Sequence, residues 1–128
     1  MNDETKNASP SPAGPLRGLR VVEFAGLGPV SFTAMLLADM GARVVRIERP
    51  GAVQMERGAT MRGRERLALD LRSAEGLATA RELLRHADVA IEGFRPGVME
   101  RLGLGPAELF ALRPALVFGR MTGWGQEG

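Results

Sequence analysis

Arg20-Val21-Val22-Glu23-Phe24-Ala25-Gly26-Leu27-Gly28-Pro29 decides the fold of this chain. Its first half is a β-branched run suited to an extended strand, and its second half is a glycine-rich turn. Ser31 follows as a candidate helix cap, and Ala34, Met35, Leu36, Leu37 and Met40 have the spacing of a well-buried helix. Gly41 stands where a helix stops, and Val44-Val45-Arg46-Ile47 reads as a second strand, ended by Pro50. A strand, a turn, a helix and another strand in close succession form a β-α-β unit, whose strands pair in parallel.

The alternation continues outward from that unit. Residues 51–65 carry Met55, Arg57, Met61, Arg62 and Arg64 without clear periodicity and read as a long loop. Loops of that length are usually functional or disordered. Arg66-Leu67-Ala68-Leu69-Asp70-Leu71 reads as extended, and Ser73 caps a helix with Leu77, Ala80, Leu83 and Leu84 on one face. Asp88-Val89-Ala90-Ile91-Glu92 is a further strand. Short helices are expected near residues 98–102 and from Pro106 to just before Pro114, and Leu116-Val117-Phe118-Gly119-Arg120 is the last strand. There is no internal repeat. The pattern predicts an α/β fold, a Rossmann-like parallel sheet with helices on both faces, over residues 15–128. Residues 1–14 hold no large apolar residue beyond Met1 and read as a disordered leader.

A length of 128 residues suits one domain with a modest core. The sequence has no cysteine, which excludes disulfides, zinc–thiolate sites and a thiol nucleophile. No apolar run is long enough to cross a bilayer, and the acidic, polar amino terminus is not a secretory signal. These features fit a cytoplasmic chain. The net charge is only +2, but Lys6 is the single lysine and every other cation is arginine, whose planar fork matches phosphate and carboxylate.

In parallel α/β sheets, ligands bind beyond the carboxyl ends of the strands. Those ends are Gly26-Leu27-Gly28, Glu48-Arg49-Pro50, Glu92-Gly93-Phe94-Arg95 and Thr122-Gly123-Trp124-Gly125. Arg49 and Arg95, with Arg101 shortly after, suit a ligand that carries phosphates and a base able to stack. Two ligands fit that description. One is a dinucleotide, since Gly26-x-Gly28-x-x-Ser31 follows a strand and Glu48 ends the next, about 20 residues on, where a ribose-binding acid belongs. Against it, Ser31 replaces the third glycine and Pro29 removes an amide. The other is coenzyme A. A nucleic-acid role for Arg57, Arg62, Arg64 and Arg66 is disfavoured, because the cluster is short, broken by Glu65 and free of aromatics. Arg81, Arg85 and Arg113 read as solvated surface, Trp124 as packing beside the site, and Asp39, Asp70 and Asp88 as scaffold. His86, the single histidine, ends a helix and suits its dipole. No spacing suggests a metal site.

Several ordered stretches resemble the family III CoA transferases, a family that includes formyl-CoA and carnitine CoA-transferases and α-methylacyl-CoA racemase. They are Pro15-Leu16-Arg17-Gly18-Leu19-Arg20-Val21-Val22-Glu23-Phe24, the run 36–50, Leu67-Ala68-Leu69-Asp70-Leu71 and the run 87–97. Met121-Thr122-Gly123-Trp124-Gly125-Gln126 is most similar to the racemase branch. The resemblance implies an incomplete, amino-terminal part of that fold. It implies a CoA site in which Arg49 meets phosphate, Leu27 and Leu69 line the path, Gly93, Phe94 and Arg95 meet the adenosine end, and Arg101 reaches a phosphate. Arg62 and Arg64 match a basic patch of the family, with Glu65 where its final cation stands. The implied chemistry is epimerisation of 2-methylacyl-CoA thioesters or, in the alternative, transfer of CoA between carboxylic acids. Coenzyme A enters as part of the substrate, with no covalently bound cofactor. The family's catalytic aspartate and histidine lie beyond the Gly-Trp-Gly-Gln segment, so this chain is expected to carry none of them and to be inactive alone. The family's interlocked dimers imply a homodimer or a complementary polypeptide. They also imply exposed faces at Val21, Val44, Ile47, Leu69 and Val117, and an open edge at the last strand.

Overall fold

Along a strand, successive side chains point to opposite faces. In β1 (Arg20–Phe24) this sends Val22 and Phe24 to one side and Val21 and Glu23 to the other, and all four are buried. A strand buried on both faces belongs in the middle of a covered sheet, and that is where it lies. In the computed structural model, which describes residues 13–26, 28–53 and 58–127, β1 is the central strand of five. It is flanked by β2 (Arg43–Glu48) and β4 (Val89–Glu92), with β3 (Arg64–Ala68) and β5 (Val117–Arg120) at the edges. All pairings are parallel, and the order is β3-β2-β1-β4-β5. This is the doubly wound order of a Rossmann-like fold.

Helix α1 (Pro29–Asp39) covers one face, where Val30 and Ala34 pack on Val21, Val44 and Ile91. Helices α2 (Ala74–Arg85), α3 (Val98–Arg101) and α4 (Pro106–Leu112) cover the other. There Ala80, Leu84, Met99 and Leu109 close over Val22, Phe24, Ile47 and Ala90. The crossovers thus put helices on both sides of the sheet.

Four local expectations need correction. Ser31 caps nothing. Pro29, with φ preset and no amide to satisfy, opens α1 behind Gly28, and Ser31 is buried within the first turn. The third strand starts at Arg64 rather than Arg66, because the register Val44↔Arg64 and Glu48↔Ala68 draws the end of the supposed loop into the sheet. A 3₁₀ turn, Gly58–Met61, precedes it. Ala13 and Gly14, assigned to the leader, pack on Met40 and Gly41, and a Cβ at Gly14 would fall 2.4 Å from the Met40 carbonyl oxygen. The rest of the leader lies outside the described residues. Finally, Val21, Val44 and Ile47 are buried within the chain itself and Leu69 is half-buried. Of the five residues expected to lose partners, Val117 on edge strand β5 is the exposed one, at 62%. No helix of the described residues is long and apolar enough to cross a membrane.

Candidate functional site

The carboxyl ends of β1, β2, β3 and β4, together with α3, enclose a cleft of about 940 Å³. Arg49 follows β2, Leu69, Asp70 and Arg72 follow β3, and Phe94 and Arg95 follow β4. Val98, Arg101 and Leu102 come from α3 and its end. Ala25 and Ile47 form part of the floor. The Phe94 ring packs at 60° to Phe24, 6.2 Å between centroids, so it serves the core and the cleft at once.

What sets this cleft apart is the state of its cations. Arg20, Arg43, Arg46, Arg62, Arg64, Arg66, Arg85, Arg113 and Arg120 each hold a carboxylate. Among the described residues, the guanidiniums of Arg17, Arg49, Arg72, Arg81, Arg95 and Arg101 hold none, and Arg49, Arg72, Arg95 and Arg101 line the cleft. Neither of its two carboxylates is ion-paired with them. Glu48 is taken by Arg66, at 2.7 and 2.9 Å, and by Arg46 at 3.1 Å. Asp70 Oδ1 accepts the Arg72 backbone N–H at 2.9 Å. A smaller cleft of about 450 Å³ on the α2 face offers the contrast. It is lined by Val45, Leu67 and Leu83, and its arginines Arg20, Arg43 and Arg66 are all ion-paired.

The α1 face of β1, β2 and β3 uses its arginines differently. Glu23, fully buried, accepts from Arg46 and from Arg64 Nη1 at 2.9 and 3.0 Å. Arg64 also donates to the Ser31 carbonyl and hydroxyl oxygens, both at 3.1 Å, and to the Thr60 carbonyl. Burial pushes the Glu23 carboxyl up, and the charges of Arg46 and Arg64 pull against it. The strand register places Glu23 beside Arg46 and Arg46 beside Arg66, and Glu48 accepts from both arginines, so the two like charges share a carboxylate between them.

The residues singled out from sequence therefore separate. Arg49, Leu69, Phe94, Arg95 and Arg101 meet in the cleft. Arg62 and Arg64 do not line it: Arg62 holds Asp39 at 2.6 and 2.9 Å, and Arg64 is buried under α1. Gly93 faces α1, where a Cβ would fall 2.5 Å from Val30 Cγ2, so close packing accounts for the glycine. Leu27 lies outside the described residues. Glu48, the candidate ribose acid, is occupied by two arginines. Trp124 is 90% exposed and packs on nothing. Arg113 is half-buried and binds Asp88 at 3.0 Å, which ties α4 to β4 and makes it a structural residue rather than solvated surface. His86 is exposed, 3.1 Å from Glu82. Among the described residues no group of acids and histidine could hold a metal ion.

Arg72 was missed. Its signal was its place just past a strand end, which becomes visible once β3 is seen to stop at Ala68 rather than Leu71. The pair Glu92 and Arg120 was missed as well. Arg120 Nε reaches Glu92 at 2.8 Å, and its Nη atoms hold Glu100 at 2.6 and 3.1 Å.

Glu100 gives a pH-dependent expectation. Hydrogen bonds from Arg120, above all, hold its carboxyl below the ordinary value of 4.5. The unfolded chain then binds the proton at higher pH than the folded one. This stabilisation is present above the unfolded value and is lost as pH falls through the lower folded value. Glu100→Gln should lower the melting temperature near neutrality, and the difference from wild type should shrink steadily below about pH 4.5. Paired thermal melts across that range check it, and a constant difference contradicts it.

The sequence and the fold have known relatives. The family model described as CoA-transferase family III matches residues 16–128. Human α-methylacyl-CoA racemase is 48% identical over 113 residues, covering 88% of this chain and 29% of that protein. Succinyl-CoA–D-citramalate CoA-transferase of Chloroflexus aurantiacus is 38% identical over 135 residues, covering 94% of this chain and 34% of that one. The crystal structure of the hypothetical protein Rv3272 from Mycobacterium tuberculosis superposes with a TM-score of 0.84 at 35% identity, over 92% of this chain and 35% of that chain. The chain spans about a third of the length of these relatives. A parallel five-stranded sheet in Rossmann order, a strand-end cleft and a match over residues 16–128 lead to one assignment: the chain belongs to the CoA-transferase family III.

Proposed function

We propose that this chain forms the CoA-binding part of an acyl-CoA racemase-like enzyme, holding the nucleotide and diphosphate of a CoA thioester in the arginine-lined cleft. The observation that carries the reading is the set of four unpaired guanidiniums at one cleft, in a chain whose other arginines mostly hold carboxylates. Coenzyme A bears a diphosphate and a 3′-phosphate, and arginine forks bind such groups bidentately. The cleft volume lies at the upper end of ordinary ligand sites. Leu69, Val98 and Leu102 give an apolar wall for the rest of the ligand.

Identity with the human racemase favours epimerisation of 2-methylacyl-CoA thioesters as the reaction of the complete enzyme. The match to the citramalate enzyme over 94% of the chain favours a second reading, CoA transfer between carboxylic acids. Both place CoA in the same cleft. Isothermal calorimetry tests the shared part. A charged hydrogen bond to phosphate contributes about 1.5–3 kcal/mol, so Arg49→Ala should weaken CoA binding roughly tenfold or more. Arg62→Ala, which alters the opposite face, should leave affinity unchanged. Equal affinity of wild type and Arg49→Ala refutes the assignment, as does tighter binding of NAD than of CoA.

A further inference from the structure

Arg120 lines no part of the cleft, yet it touches two segments that build it. Its guanidinium is mostly buried at the carboxyl end of β5, with the Phe118 ring 5.3 Å beneath. Nε binds Glu92 Oε1 at 2.8 Å, and Glu92 is 1% exposed. The other oxygen of that carboxylate, Oε2, accepts the Phe94 backbone N–H at 2.7 Å. One carboxylate therefore joins Arg120 to the turn that carries Phe94 and Arg95. The far side of the same guanidinium grips Glu100, in α3, with both Nη atoms. Arg101 is the next residue, and α3 starts behind Gly97, whose φ of 87° favours glycine.

We propose that Arg120 is a positioning residue that fixes residues 94–101 as one wall of the cleft. A three-nitrogen fork can satisfy two carboxylates in one plane, which neither a lysine nor a neutral donor can do. Through Glu92 it sets the Phe94 amide, and through Glu100 it sets the pitch of α3. Together they fix the separation of Arg95 and Arg101 from Arg49 across the cleft. Two cations on a short turn and a one-turn helix would otherwise repel each other and spread into solvent. Arg120 thereby holds the cation set in the spacing that a polyphosphate ligand requires. The affinity consequence rests on the CoA reading above, whereas the ordering of the wall does not.

The test uses the full chain in four forms: wild type, Arg120→Lys, Arg120→Ala and Glu100→Gln. Amide hydrogen exchange read by NMR reports the wall directly and needs no ligand. Arg120→Ala should speed exchange of the Phe94 amide at least tenfold and broaden residues 93–102, while amides of β1 and β2 keep their protection. Glu100→Gln should loosen α3 and leave the Phe94 amide protected, since only the outer half of the fork is lost. Arg120→Lys should fall between, because one ammonium nitrogen cannot reproduce the three separate nitrogens that meet Glu92 and Glu100. Calorimetry with CoA should then show a weakening of about tenfold for Arg120→Ala, with a smaller loss for adenosine 3′,5′-bisphosphate, which spans fewer of the cations. Unchanged Phe94 exchange in Arg120→Ala overturns the proposal whatever the affinity. Faster Phe94 exchange in Arg120→Ala, together with a wild type that binds no CoA, upholds Arg120 as the organiser of the wall and sinks the ligand reading instead. If Arg120→Ala does not fold, Glu100→Gln and Arg120→Lys decide: equal exchange to wild type at residues 93–102 in both overturns it.

Discussion

Glu23→Gln should lower the stability of the fold by roughly 3–5 kcal/mol, the usual cost of removing one partner from a buried ion pair. The Glu23 side chain is fully buried and serves two guanidiniums at once, Arg46 at 8% side-chain exposure and Arg64 at 0%. Glutamine keeps the shape but not the charge, and its one carbonyl oxygen cannot replace two carboxylate oxygens. Arg46 retains Glu48. Arg64 retains only neutral acceptors and one buried nitrogen, Nε, that has no partner even in the wild-type chain. The loss corresponds to a fall in melting temperature of about 10–20 °C for a domain of this size. Urea denaturation of both proteins measures it. A difference below about 1 kcal/mol would place the pair in the range of exposed salt bridges and contradict its burial.

Arg49→Ala combined with Arg101→Ala should behave in the opposite way, with little change in stability and a large loss of CoA affinity. Neither guanidinium holds a carboxylate, so the fold loses nothing it uses. Two charged hydrogen bonds to phosphate contribute roughly 3–6 kcal/mol, or about 10²–10⁴-fold in affinity. The wild-type interaction should also weaken with salt, since the cleft is open enough for ions to screen it. Calorimetry at two salt concentrations, with a melt of each protein, separates the outcomes. A double variant that melts far below wild type would mean these arginines support the fold. One that melts normally and binds CoA normally would remove them from the site.

The sequence carried the topology because each strand-forming run is bounded by its own glycine, proline or capping residue. Ser73 does cap α2, its hydroxyl accepting the Gly76 N–H at 2.9 Å. Ser31 looked identical but was overruled by Pro29, two residues earlier. The site was half legible. Arg49 and Arg95 could be found because they sit at strand ends, and strand ends follow from topology. The division of arginines into fold and cleft could not be read in the same way. Arg62, Arg64 and Arg66 alternate with other residues in one polar run, and only the parallel register of β3 against β2 shows that Arg64 turns under α1 to Glu23 while Arg66 reaches Glu48. Arg120 was invisible for a similar reason, since its partners lie 28 and 20 residues away and meet it only after β5 docks.

The central place of β1 also shapes how the chain acquires its structure. β1 pairs with β2 through a single helical crossover, but its other neighbour is β4, and the Arg20 N–H finds Asp88 across 68 positions. Closing such a distance costs chain entropy before any native contact repays it, and topologies dominated by distant pairings fold slowly. During synthesis β1 therefore emerges first and waits longest, with one side open until Val89 to Glu92 leaves the ribosome. A strand of Val21, Val22 and Phe24 left half-paired is a ready template for the wrong partner. The charge of Glu23 in the midst of that apolar run makes such mispairing costly until Arg46 and Arg64 arrive. The buried carboxylate thus guards the nascent strand as well as bracing the finished sheet.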